Sequence, residues 1–166
     1  MTGEERRFAE MLLAIKAKAS QGISWTRDEQ ASIDLCFEKQ GEIRVLAACC
    51  VLTAMRPQGC DKSVGILRET IERERLPSPY TEASIYEALN YVEGRKLAPF
   101  HDALFLFIEQ SLVRRSVSLI NTIALLGKLA RRGEARALAL LQSLANDDDT
   151  AVRDTALNMV QCLEHD

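Results

Sequence analysis

The sequence predicts an all-α fold, and three observations support this prediction. Apolar residues recur three and four positions apart along nearly the whole chain, which is the spacing of one buried helix face. Strand signals are almost absent, and only 5% of the residues are aromatic, which suits aliphatic helix packing. Short segments rich in glycine, proline or polar residues separate the apolar stretches. The chain is therefore expected to be a series of helices joined by short turns.

Turn signals divide the chain into about nine predicted helices. We place the turns at residues 22–24, 40–41, 57–59, 76–79, 94–99, 132–133 and 146–149. The helices between them are expected at 4–21, 26–39, 42–56, 61–75, 81–93, 99–110, 112–131, 134–145 and 151–164. Start signals agree with these limits: Thr26 and Glu29 have the spacing of a capping box, and Pro99 suits a first helical turn. Asp149 or Thr150 can cap the last helix.

The size and charge of the chain narrow the classes of protein to consider. At 166 residues the chain can bury a substantial core without metals or disulfides, so one domain over residues 1–166 is expected. Its 21 basic and 24 acidic residues give a net charge of -3, whereas proteins that wrap nucleic acid usually carry a positive excess. A general nucleic-acid function is therefore disfavoured.

Cysteine use and hydropathy predict a reduced, cytoplasmic protein. The five cysteines are Cys36, Cys49, Cys50, Cys60 and Cys162. The start of the chain lacks the charged and apolar pattern of a secretion signal, and no apolar stretch is long enough to cross a bilayer. Free thiols and no membrane association are the expected consequences.

The segment 127–163 contains an apolar helix, an acidic turn and a second helix, in the order of a HEAT repeat. The segment resembles the HEAT family in detail, because Val152, Arg153 and Ala156 occupy the corresponding positions of the second helix. The resemblance implies that Val152 and Ala156 pack between neighbouring helical hairpins. It also implies that Arg153 pairs with an acidic residue of the turn at 147–149.

The same sequence pattern occurs earlier in the chain. Ile43, Arg44 and Ala47 there resemble Val152, Arg153 and Ala156 of the last repeat. Weaker copies place Ala88 and Ala124 at the alanine position. Successive alanines at 47, 88, 124 and 156 are then 41, 36 and 32 residues apart, near the period of helical-hairpin repeats. The resemblance implies a right-handed α-solenoid of about four HEAT-like hairpins over residues 26–166, preceded by an N-terminal capping helix at 1–25.

In HEAT-like proteins the second helices of the hairpins line a concave surface, and this surface is the predicted partner-binding site. Positions two before, two after and five after each alanine are the candidates. They are Val45, Cys49, Leu52, Tyr86, Asn90, Glu93, Thr122, Leu126, Leu129, Asp154, Asn158 and Gln161. A groove of this kind could receive an amphipathic helix or an extended segment. The alternative is that the apolar members belong to the core, because a helical face is easily rotated by one position.

Basic residues are concentrated between positions 110 and 140. They are Arg114, Arg115, Lys128, Arg131, Arg132 and Arg136, opposed there only by Glu134. Residues 146–166 carry a matching acidic excess. Solvated faces that neutralise each other are one interpretation, and a docking patch is the other.

Signs of catalysis or metal binding are weak throughout the chain. No C-x-x-C pair is present, and Cys49 and Cys50 point about 100° apart on a helix, so inert buried thiols are expected. His101 and His165 lack a recognisable nucleophile or carboxylate partner nearby in sequence. The acidic run 147–149 lacks the spacing of a calcium loop. We therefore expect no enzyme activity, no metal and no cofactor.

The leading functional hypothesis is a non-catalytic protein-binding module of the adaptor, chaperone or toxin-neutralising type. It would hold a partner helix or segment on the concave face. Two alternatives remain open. One is a nucleic-acid-binding HEAT-like protein, similar to DNA-alkylation-repair proteins, that uses the basic region at 114–136. The other is a protein that handles a chromophore, as the similar phycobilin lyases do.

Overall fold

The computed structural model describes residues 3–54, 60–73, 76–115 and 119–165, and every regular element in these ranges is helical. The helices are α1 (Gly3–Ser20), α2 (Arg27–Glu38), α3 (Glu42–Thr53), α4 (Cys60–Glu72), α5 (Pro79–Tyr91), α6 (Gly94–Leu97), α7 (His101–Arg114), α8 (Leu119–Ala130), α9 (Ala135–Leu144) and α10 (Thr150–His165). A short 3-10 helix, Ala98–Phe100, joins α6 to α7. The predicted all-α fold is confirmed. The predicted turn at 57–59 and the predicted helix ends at 56 and 75 lie outside the described residues.

Two predicted boundaries are wrong. The break expected at residue 111 is absent, because Ser111 is fully buried and α7 continues through Arg114. Arg115 ends that helix in the left-handed region, at φ 49°, with its N–H donating to the Ser111 carbonyl over 2.8 Å. The turn predicted at 94–99 is instead largely helical, formed by α6 and the beginning of the 3-10 helix.

Three predicted start signals lie at the beginning of a helix, whereas the start predicted at residue 112 lies inside α7. The Glu29 N–H donates to the Thr26 hydroxyl over 3.2 Å, and the Thr26 N–H donates to the Glu29 carboxylate over 2.8 Å, which completes the capping box. Asp149 caps α10 by accepting hydrogen bonds from the N–H groups of Ala151 and Val152 at 2.9 and 3.3 Å. Pro99 lies in the first turn of the 3-10 helix.

The chain divides into two compact units, residues 1–107 and 108–166, and each is described by itself. The prediction of a single domain stays a prediction. In the first unit α3 is the central element and packs against α1, α2, α4 and α5. From Ile43 to Leu52 every residue of α3 except Arg44 is buried. A helix that is apolar around its whole circumference needs neighbours on every side, and these four helices provide them.

In the second unit α8, α9 and α10 pack against one another in all three pairs. Gly127 of α8 lies directly against the side chain of Met159 in α10. A Cβ atom on Gly127 would lie 2.9 Å from Met159 Cγ and closer still to its sulfur. The absence of a side chain at Gly127 therefore allows α8 and α10 to approach this closely.

The alanine positions of the predicted repeats have different environments. Ala47, Ala88 and Ala156 are fully buried, as their predicted packing role requires. Ala124 is only partly buried. Gly127, one turn further along α8, provides the close approach that was expected at Ala124.

Arg153 does not pair with a carboxylate of the acidic turn as the HEAT resemblance implied. Its guanidinium donates to the Asp147 backbone carbonyl and to the Thr150 hydroxyl, both over 3.2 Å. The Asp147 carboxylate accepts two hydrogen bonds from Arg115, at 2.7 and 2.9 Å, and a third from the Asp149 N–H. Arg115 and the Asp149 N–H lower the pKa of Asp147 to about 2, because they favour its charged form. The corresponding Arg44 lies 3.5 Å from Glu69 of α4.

We expect opposite effects of alanine at the two helix-interior glycines Gly65 and Gly127. A Cβ on Gly65 meets open space, so G65A should raise the free energy of unfolding by about 0.5–1 kcal/mol through helix propensity alone. G127A brings the same gain, but its Cβ displaces Met159, and overpacking of this kind costs about 1–3 kcal/mol. Urea unfolding at 25 °C measures both changes. Equal stabilisation by the two substitutions would contradict the close approach of α8 and α10.

Candidate binding groove

A groove runs between α1 and α5 in the first unit, with α3 as its floor. We call it the α1–α5 groove. Its walls and floor are Leu13, Lys16, Ala17 and Ser20 of α1, Tyr80, Ser84, Glu87 and Tyr91 of α5, and Cys49, Cys50 and Thr53 of α3. The spacing of three and four residues places each wall set on one face of its helix.

The three helices of the groove run in the same direction. Residues from the N-terminal halves of α3 and α5, such as Leu46 and Tyr80, line one end of the groove together with Ala9 of α1. The last residues of all three helices, including Ser20, Thr53 and Tyr91, line the other end.

Two cavities of very different size occupy the groove. The small cavity, beside Tyr80 and Cys49, holds about 20 Å³, which is room for one water molecule. The C-terminal cavity, beside Ser20, Thr53 and Tyr91, holds about 470 Å³. Leu13 and Lys16 line both cavities and therefore lie between them.

An ion pair between Lys16 and Glu87 crosses the groove from α1 to α5. The Lys16 side chain is 23% exposed and the Glu87 side chain 33%, so the pair is largely covered but remains accessible from solvent. The pair connects the two walls over α3, at the position where the two cavities meet.

Apolar side chains remain exposed on both walls. Leu13 is 44% exposed, Tyr80 39% and Tyr91 49%. On the opposite face of α5, Tyr86 is buried, with its ring 5.4 Å from Phe107 and its hydroxyl donating to the Phe107 carbonyl. The two faces of α5 thus separate a core tyrosine from two surface tyrosines.

Three buried thiols of the first unit have raised pKa values, and two of them, Cys49 and Cys50, lie in the floor of the groove. Burial raises the pKa of Cys50 to about 12 and that of Cys36 to about 11, and it also raises the pKa of Cys49. The Cys50 thiol lies 3.7 Å from the Leu12 carbonyl, to which it donates. Burial also raises the pKa of Tyr80. A thiolate nucleophile is therefore strongly disfavoured in this groove.

The apolar members of the predicted concave site are buried, which favours the alternative that they belong to the core. Seven of the twelve are buried, namely Val45, Cys49, Leu52, Tyr86, Thr122, Leu126 and Leu129. Asn90 is partly buried, and its amide donates to the Tyr86 carbonyl over 2.9 Å. Glu93, Asp154, Asn158 and Gln161 are exposed. Among these twelve, Cys49 lines the groove, in the floor of the small cavity.

The predicted residues of the last repeat lie on a polar surface of the second unit. Asn158 and Gln161 line a shallow, open pocket together with Arg131 and the exposed Cys162. Asp154 is exposed and lies 3.8 Å from the Arg153 guanidinium. The structure does not bring Thr122, Leu126 or Leu129 to this surface, because they are buried.

Part of the predicted basic patch is neutralised within the second unit. Arg115 binds Asp147 through both guanidinium nitrogens, and Arg136 donates twice to Glu109, at 2.8 and 3.0 Å. Burial and the neighbouring Arg132 lower the pKa of Lys128. Arg114, Arg131 and Arg132 are exposed. The six basic residues therefore do not act as a uniform positive surface.

Lys16, Glu87 and Tyr91 line the groove but are not among the site residues predicted from the sequence. Helical spacing could have indicated Glu87 and Tyr91. Together with Tyr80 and Ser84 they follow one another at intervals of four, three and four residues, which places them on one face of a helix. Lys16 becomes significant only through its contact with Glu87, which is 71 residues away in the chain.

The described part of the chain lacks a metal-binding cluster and a membrane-spanning helix. In those ranges no three His, Cys, Asp or Glu side chains converge in a way that could hold a metal ion. No helix among the same residues has the length and apolar character needed to span a membrane.

The N-termini of α3 and α5 are joined by Glu42, the first residue of α3. One carboxylate oxygen accepts from the Ser78 N–H over 2.9 Å, and the other accepts from the hydroxyls of Ser78 and Thr81. Burial raises the pKa of Glu42, but these three hydrogen bonds outweigh it, and the pKa lies below its usual value. Glu42 thus helps to set the position of the α5 wall relative to the α3 floor.

We expect Glu42→Gln to lower the free energy of unfolding by about 1–2 kcal/mol at pH 7, because the amide NH2 group would face a donor. Since folding lowers the pKa of Glu42, its contribution is present at neutral pH and is lost as the pH falls through the folded pKa. The difference from wild type should therefore narrow below about pH 4. Urea unfolding between pH 3 and 7 tests this.

The matched control for this measurement is Glu72→Gln, which removes an exposed carboxylate paired with Arg68 at 2.8 Å. A surface pair of this kind contributes about 0.3–0.5 kcal/mol. A loss at E42Q that is no larger than that of E72Q, or that does not change with pH, would contradict the role assigned to Glu42.

The chain was compared with protein-family models, with curated proteins and with solved structures. It matches no family model, no curated protein and no solved structure. The HEAT-like resemblance thus remains a prediction from the residues themselves.

Proposed function

We propose that this chain is a non-catalytic protein-binding module that holds an amphipathic helix of a partner protein in the α1–α5 groove. The observation that carries the proposal is the set of exposed apolar side chains on both walls, Leu13, Tyr80 and Tyr91. Tyrosine and other large side chains at the centre of an interface supply most of its binding free energy. Their presence on neighbouring helices suits a partner helix that packs along the open side of the groove.

The length of the groove along α5 suits a helical partner segment. The α5 wall extends from Tyr80 to Tyr91, which corresponds to about 16 Å along a helix axis. A partner helix of about three turns would cover this length. Its apolar face would contact Leu13 and the two tyrosines, and a polar residue near its middle would meet the Lys16–Glu87 pair.

We also infer that the helices form HEAT-like hairpins within a right-handed solenoid. In the first unit α1, α3 and α5 run in one direction, and α2 and α4 lie between them in the chain and pack against α3. The packing of α2 on α3 supports one hairpin of this kind in the first unit, whereas among the described residues α4 packs on α3 rather than on α5. In the second unit the mutual packing of α8, α9 and α10 supports one further hairpin.

A nucleic-acid function has weaker support than protein binding. It would rely on the basic region at 114–136, but two arginines there already form ion pairs, Arg115 with Asp147 and Arg136 with Glu109. The net charge of the chain is -3. Phosphate binding gains most from unpaired cations, so the groove of the first unit is the better-supported site.

The proposal is tested by selecting peptides of 16 residues, displayed on phage, against the immobilised full chain. The affinity of the enriched peptides is then measured by fluorescence anisotropy. Leu13→Lys should weaken binding by about tenfold or more, because it places a charge on an apolar wall.

Leu35→Lys is the matched control, since Leu35 is 52% exposed on α2 and does not line the groove. Its effect on affinity should stay within about twofold. Failure to enrich any peptide, or enriched peptides that bind L13K as tightly as wild type, would refute the proposed groove.

A further inference from the structure

We propose that the C-terminal cavity of the groove binds a basic side chain, arginine or lysine, of the partner helix. This inference rests on the proposed function of the α1–α5 groove and adds the chemistry that selects its partner. It depends on three features of the cavity, which are the helix ends that meet there, its side-chain charges and its aromatic ring.

Three helix C-termini meet at the C-terminal cavity. The lining includes Ser20 at the end of α1, Thr53 at the end of α3 and Tyr91 at the end of α5. Each helix C-terminus carries about half a negative charge from its aligned peptide dipoles. Three such ends around one cavity give it a negative potential, which favours a cation and disfavours an anion.

The side chains that line the cavity do not cancel this negative potential. Among the described residues of the lining, the charged ones are Lys16 and Glu87, which form an ion pair and together carry no net charge. Lys18, in the last turn of α1, pairs with Glu29 and is not part of the lining. The helix ends therefore determine the sign of the potential in the cavity.

The apolar part of the lining suits the stem of a long basic side chain. Leu13, Ala17 and Ala19 offer aliphatic surface, and the half-exposed Tyr91 offers an aromatic ring. Lysine and arginine combine a methylene stem with a charged head, and the head gains from an aromatic ring. A free inorganic cation would gain from the negative potential but would make no contact with the apolar side chains. The lining therefore favours a cation on an aliphatic stem.

The continuity of the groove indicates that the basic group belongs to the partner helix. Leu13 and Lys16 line both cavities, so the C-terminal cavity opens from the same groove that carries the exposed apolar residues. A helix bound against Tyr80 and Leu13 would place a residue about two to three turns further along beside Tyr91. We expect this residue of the partner helix to be arginine or lysine.

The first test titrates the full chain with n-butylguanidinium and, separately, with pentanoate, which has an aliphatic tail of the same length and the opposite charge. Amide NMR shifts are followed. Butylguanidinium should shift the signals of Ser20, Thr53 and Tyr91 with a dissociation constant on the order of 1–10 mM, as expected for so small a ligand. Pentanoate should leave these signals unchanged. Equal binding of the two probes, or shifts scattered over the chain, would overturn the inference.

Charge variants of the ion pair should change this affinity in opposite directions. Glu87→Gln leaves Lys16 unpaired and should weaken butylguanidinium binding about threefold or more, whereas Lys16→Met leaves Glu87 unpaired and should strengthen it similarly. The double variant K16M/E87Q restores neutrality and should bind within about twofold of wild type. The amide spectrum of each variant reports whether it is folded.

Lys62→Met is the matched control, because Lys62 lies 3.7 Å from Glu38 and does not line the cavity. It should change the affinity for butylguanidinium by less than about twofold, since salt screens distant charges. Changes in the same direction for E87Q and K16M, or an effect of K62M as large as theirs, would contradict the assigned electrostatics.

A second test separates this inference from the proposed function. The basic residues of groove-binding peptides are replaced one at a time by norleucine, and a loss of about tenfold at one position is expected. If L13K abolishes peptide binding but no norleucine replacement does, the inference fails and the groove proposal stands. If butylguanidinium binds but no peptide occupies the groove, the cavity takes a free organic cation and the assignment to a partner side chain is overturned.

Discussion

Burial of α3 on all sides is the constraint on which the rest of the first unit depends. Its sequence from Val45 to Leu52 contains no charged or strongly polar residue, and all eight positions are buried. Exposing such a helix would cost about 1.5–3 kcal/mol for each large side chain, so four neighbouring helices cover it. The fully buried Ala47 and Ala48 leave room for those neighbours to approach closely.

The α1–α5 groove is a consequence of this arrangement. α1 and α5 both pack on α3, and between them α3 is covered mainly by side chains rather than by another helix. The Lys16–Glu87 ion pair and the Glu42 hydrogen bonds hold the walls in register without filling the space. Because the helices run in the same direction, their negative ends also converge, and the groove acquires an electrostatic polarity together with its apolar walls.

The predicted site was placed on α3, α5, α8 and α10, and two of these helices, α3 and α5, line the α1–α5 groove. Counting from the buried alanines, however, selected Val45, Leu52 and Tyr86, which face the core. Successive residues of a helix are rotated by about 100° about its axis. An error of one residue in the assumed face therefore selects buried residues in place of exposed ones. Contacts such as Lys16–Glu87 join distant parts of the chain and leave no local periodic signal.

The sequence by itself determined the helices and most of their ends. Apolar periodicity, the Thr26 capping box and the Asp149 cap are local properties, and local interactions are enough to produce them. Only the tertiary structure decided which faces of α1 and α5 stay exposed, why Gly127 is needed beside Met159, and why Asp147 pairs with Arg115 instead of Arg153. These features depend on distances between separate helices, which are set by packing rather than by the order of residues within any one helix.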